Sequence, residues 1–119
     1  MPDDVEAALD EGIALIDRGA YFAAHEALEL AWRAAPAAER DFFQGLVHVA
    51  VAWYQAERRN PVGCERQLEK AARRLGPFAP AHRGVDVADV LEQVAEARGR
   101  FPHLPPAHVI RARGSRAPG

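Results

Sequence analysis

Apolar side chains at Val5, Leu9, Ile13 and Ile16 recur three or four residues apart, the spacing of one face of an α-helix. Asp3 or Asp4 can cap this segment and Gly19 stands just past its end, so a first helix is predicted over 4–18. A second, over about 21–34, stops before Pro36, because the residue ahead of a proline is pushed out of the helical region. The two form a helical hairpin with a very short turn. The most apolar stretch runs from about 38 to 59, and between Phe42 and Tyr54 its only strongly polar side chains are Gln44 and His48. A helix apolar around most of its circumference belongs at the centre of a fold. Asn60-Pro61 supplies a cap and a first-turn proline for a helix through Cys64, Leu68, Ala72 and Leu75, which Gly76-Pro77 closes. After a loop of Pro, Gly and Ala, Asp86 caps a last helix along Val87, Val90, Leu91 and Val94. No strand alternation of useful length is visible. The pattern predicts an all-α single-domain bundle of about five helices built from hairpins. The helical domain spans 1–100, and 101–119 is a Pro/Arg-rich tail, extended or disordered.

Composition narrows the function classes. A chain of 119 residues, 49% hydrophobic, fits one compact domain and needs no second. Its net charge of -2 argues against a nucleic-acid or membrane footprint, which would appear as a basic excess. The single cysteine, Cys64, excludes an internal disulfide, lies on the apolar stripe of its helix and is read as a buried thiol in a reducing compartment. No segment approaches the roughly 18 apolar residues a membrane span needs, so a soluble cytoplasmic protein is expected. The segment 97–119 carries Arg98, Arg100, Arg111, Arg113 and Arg116 with no acidic residue, which leaves the rest of the chain at about -7. Charge segregated in this way can dock on an acidic surface such as another subunit or RNA, although a solvated tail is the simpler reading. The partner is not specified by the sequence; a protein partner or a homo-oligomer fits best.

Candidate chemistry concentrates between Tyr21 and Trp32. At about 100° per residue, His25, Glu29 and Trp32 share one narrow sector of the second helix, flanked by Tyr21, Phe22 and Leu28. Read as the core stripe, this sector places a His and a carboxylate inside the bundle, where either one unpartnered costs several kcal/mol. His25 and Glu29 are therefore expected to be largely buried and to share a hydrogen bond or a partner, with Trp32 beside them. Gln44 and His48, four residues apart on the third helix, can face them across a polar pocket walled by Trp32 and Trp53. Two ligands on one helix are too few for zinc, which needs three or four, and Glu26 points away from His25. No metal and no cofactor is predicted. Nucleophile elbow, P-loop and dinucleotide fingerprint are all missing. The favoured function is a non-catalytic binding module whose His25/Glu29/Trp32 motif is a buried structural network. One alternative is a small-ligand or metal-dependent enzyme using a pocket of His25, Glu29, Gln44 and His48.

The order Phe22-x-x-His25-x-x-x-Glu29-x-x-Trp32, then Gln44-Gly45-Leu46, then Asn60-x-x-Gly63 and Leu75 resembles a small bacterial and archaeal family known as domain of unknown function 309, over roughly residues 8–95. The resemblance implies an all-helical single domain whose His-x-x-x-Glu-x-x-Trp motif is suspected of a functional role, with no established activity. Position 48 departs from that pattern, with His where the resemblance implies Gln. The hairpins also resemble a tetratricopeptide unit: Gly19, Phe22, Leu28, Ala31 and Pro36 are weakly echoed by Gly63, Leu68, Ala71, Leu75 and Pro77. The echo lies 44 residues on rather than the usual 34 or so, so these are not tandem repeats, but a tetratricopeptide-like interaction hairpin is a second alternative.

Overall fold

A computed structural model describes residues 4–111; Asp3, Arg113 and Arg116 lie outside the described residues. Five helices make up the domain: α1 (Asp4–Asp17), α2 (Tyr21–Ala34), α3 (Arg40–Glu57), α4 (Pro61–Leu75) and α5 (Val87–Ala97). The expected all-α bundle is thus the observed one. Each of the two hairpins turns by the same device. After α1, Gly19 takes φ 78° while its N–H bonds Ile16 O and the Ala20 N–H bonds Leu15 O, the pair of reverse bonds that closes a helix through a left-handed residue. After α3 the left-handed residue is Arg59 (φ 61°), with its N–H on Ala56 O and the Asn60 N–H on Gln55 O. Gly63, which the tetratricopeptide comparison aligns with Gly19, is not at a turn; its N–H donates to the capping Asn60 Oδ1 inside the first turn of α4. The hairpins therefore correspond turn to turn at an offset that the glycine spacing hides.

Helix α3 packs between α2 and α4 and carries Phe42, Phe43, Leu46, Val49 and Trp53 into the core. Its approach to α4 is close enough that a Cβ on Gly45 would stand 2.6 Å from Leu75 Cγ, so only glycine fits there. Among the described residues, no helix is long and apolar enough to cross a membrane.

The loop before α5 departs from the helical pattern. Ala81–His82 (β1) and Val85–Asp86 (β2) pair antiparallel around Arg83 and Gly84, whose φ values of 50° and 77° match a type I′ turn. Strands of two residues are too short to leave an alternation in the sequence. Beyond α5 the chain runs back across the bundle in extended form. The Trp53 indole donates to Pro105 O at 2.7 Å, the Ala107 N–H donates to the Tyr21 hydroxyl at 3.1 Å, and the Val109 N–H donates to Asp17 Oδ1 at 3.0 Å. Ala107 and Val109 are buried.

The end of this arm is held by charge. Arg111 bonds both Asp10 and Glu6 of α1, and Arg83 donates to Glu6 at 2.5 Å and to Glu39 at 2.6 Å and 3.1 Å. His82 Nε2, at 2.8 Å, completes the set around Glu39. Hydrogen bonds from Arg83 and then His82 hold the Glu39 carboxyl down at about 2, against the opposing effect of burial. At Glu6 burial pushes upward, but Arg111 and Arg83 outweigh it and the carboxyl stays low.

Candidate functional site

In α2 the buried positions are Tyr21, Ala24, Ala27, Leu28 and Ala31. Ala24, Leu28 and Ala31 repeat the spacing of the motif one residue earlier, which is about 100° around the helix. The expectation that His25 and Glu29 are largely buried is therefore corrected. Their side chains are 24% and 36% exposed, and no polar or charged side chain among the described residues is fully buried. The cause is the small size of the alanines. They let α1 and α3 approach α2 from both sides, so an Ala-Leu-Ala stripe forms the contact and the larger motif residues are displaced to its margin. Reading hydrophobicity by residue size misses such a stripe.

On that margin Phe22, His25, Glu29 and Trp32 follow one another along α2. The His25 Nδ1–H donates to Phe22 O at 3.3 Å, and its Nε2 lies 3.4 Å from Glu29 Oε2, whose other oxygen is 3.7 Å from Arg33. Phe22 is 50% exposed. Its ring stands 5.3 Å from His25 and 5.2 Å from Tyr54 of α3, centroid to centroid. Phe22, His25, Val51, Tyr54 and Gln55 enclose a cavity of about 170 Å³. Trp32 is half-buried, and Arg40 lies over its ring at 5.1 Å.

The outward stripe of α3 is Gln44, His48, Val51 and Gln55, all half-buried. These residues form the floor between α2 and α4. Gln67 of α4 is 2.6 Å from His48 Nδ1 and fixes that ring, accepting through Oε1. Burial and then the cations Lys70, Arg74 and Arg73 lower the His48 pKa against the opposing bond to Gln67. Gln44 and His48 thus share a face with the motif, but the hydrogen bonds of His25 and His48 run to different helices. Trp53 does not wall this groove. It is buried on the opposite side of α3 under the arm, so the pocket expected between the two tryptophans does not form.

Among the described residues no three or more His, Cys, Asp or Glu side chains come together to hold a metal ion. Cys64 is buried, and burial followed by Glu65 pushes its thiol up, which makes it a poor nucleophile. Sequence reasoning missed Val51, Tyr54, Gln55, Gln67, Lys70 and Arg40. The available signal was periodic: Gln44, His48 and Gln55 interrupt the apolar run of α3 at intervals that repeat one face.

The fold and the groove define a small all-α domain of two like-turned hairpins with a half-buried polar and aromatic face. Residues 9–67 belong to the family described as Domain of unknown function (DUF309). The match begins in α1 and ends at Gln67, so it includes the motif and the whole floor of the groove. No curated protein and no solved structure gives a significant match to the chain.

Proposed function

We propose that the protein is a binding module that receives a partner's peptide segment along α3, between α2 and α4. The observation that carries this reading is the exposure of Phe22 and the motif residues beside a small aromatic cavity. A side chain that served only to hold the bundle together would be buried, and these are not. Size favours a partner side chain over a substrate. The cavity of about 170 Å³ is smaller than the roughly 300–1,000 Å³ of ligand pockets, and it suits one apolar side chain as an anchor. His25, Glu29, Gln44 and His48 then act as adaptable hydrogen-bonding groups along the groove.

The test is selection of binders from a displayed library of short peptides against the wild type and against Phe22→Asp. Because Phe22 is half exposed, the variant is expected to melt close to the wild type. Wild-type binders should share an apolar residue, and Phe22→Asp should weaken them by about tenfold or more. Binders of equal affinity for both proteins would refute the reading.

A further inference from the structure

The two ends of the groove differ in chemistry. The end near Tyr54 is aromatic and apolar, with Arg58 over the Tyr54 ring at 5.5 Å and donating to its hydroxyl at 3.2 Å. At the other end the acidic side chains are already matched: Asp41 accepts from Arg74 at 2.7 Å, Glu69 faces Arg73 at 3.8 Å, and Glu29 is shared by His25 and Arg33. Arg40 lies over Trp32, and neither it nor Lys70 has an ion-pair partner among the described residues. The buried Nε of Arg74 has no hydrogen-bond acceptor. Lys70 and Arg74 follow Gln67 by three and seven residues on α4, so they share the helix face that meets His48. A chain of net charge -2 thus presents a locally positive groove end with donors left over.

We infer that the partner is an acidic peptide segment, one apolar side chain of which enters the Phe22–Tyr54 cavity while its carboxylates meet Arg40 and Lys70. This rests on the binding reading above and adds the chemistry of the partner. The distance sets the spacing of the two features. From Val51 or Tyr54 to Arg40 is eleven to fourteen residues of α3, about 16–21 Å at 1.5 Å per residue. An extended peptide covers that in about five or six residues. A nucleic acid is the less suitable occupant, because two unmatched cations beside a cavity for one side chain do not form a track for a phosphate backbone.

The experiment measures peptides selected on the wild type against the charge reversals Arg40→Glu and Lys70→Glu, with Arg40→Gln and Lys70→Gln as milder variants should a reversal unfold. Binders are expected to carry Asp or Glu about five or six residues from an apolar residue. They should weaken about tenfold on double reversal and several-fold between about 50 and 300 mM salt. Binders lost in Phe22→Asp but indifferent to charge reversal and salt overturn the acidic partner and leave the apolar cavity as the site. Binders indifferent to all the variants, or no enriched binder, overturn both. A single-stranded oligonucleotide that binds more tightly than every selected peptide, and is lost on charge reversal, overturns the peptide in favour of nucleic acid.

Discussion

Replacing Glu39 with Gln keeps its size and removes its charge, which isolates the ionic contribution of the cluster that ties the Ala37–Glu39 turn, the β-hairpin and the arm to α1. Glu39 accepts hydrogen bonds from Arg83 Nε at 2.6 Å, from Arg83 Nη2 at 3.1 Å and from His82 Nε2 at 2.8 Å, with its side chain 20% exposed. Its carboxyl sits at about 2 where the ordinary value is 4.5. At about 1.4 kcal/mol per unit this corresponds to roughly 3 kcal/mol, and solvent screening brings the expected contribution to about 2 kcal/mol. A carboxyl lowered in the folded state stabilises fully above its unfolded value. The contribution is lost as pH falls from about 4.5 through about 2. Urea unfolding followed by circular dichroism should therefore separate the wild type from Glu39→Gln by about 2 kcal/mol at pH 7, narrowing to near zero at the acid end of that window. A gap that stays constant from pH 7 to pH 2 would show that the substitution acts by packing, and the ionic account would be wrong.

Glu29→Ala should cost less than about 1 kcal/mol in the same urea assay, since its pairs with His25 and Arg33 are long and solvated; a loss above 2 kcal/mol would restore a structural role for the motif. Trp53→Phe removes the donor to Pro105 O and should cost about 1 kcal/mol, with faster amide exchange at Ala107 and Val109; unchanged exchange there would mean that the arm is held without it. Gly45→Ala drives a Cβ into the fully buried Leu75 and should cost about 1–3 kcal/mol, read as a lower thermal midpoint; an unchanged midpoint would mean that α4 can shift away freely.

The helices were legible because each boundary carries its own chemistry. Asn60 and Asp86 cap as their positions imply, with Gly63 N at 3.0 Å and Asp89 N at 2.9 Å. The central helix was legible because almost nothing polar interrupts it. The orientation of α2 was not, since its true core stripe is built of alanines, whose small apolar surface weighs little beside His25, Glu29 and Trp32 in any hydrophobic pattern. The arm escaped for a different reason. Its hold on the bundle comes from backbone groups bonding Tyr21, Trp53, Asp17 and Gln93, and backbone donors and acceptors are the same in every sequence. The ionic cluster joins Glu6, Glu39, Arg83 and Arg111 from four separate segments, a proximity that no local spacing encodes.

These three failures of legibility have one physical consequence. Stability is drawn from the apolar core that all five helices share, from the arm and from the ionic cluster. The groove face contributes little that is buried, so its residues are free to be chosen for contact with something else. An exposed aromatic side chain beside a small cavity, rimmed by polar groups, is the surface pattern of a contact site. The separation also makes the binding reading open to clean mutation: side chains such as Phe22, Arg40 and Lys70 can be changed without entering the network that holds the chain together, and a loss of binding can then be assigned to the groove itself.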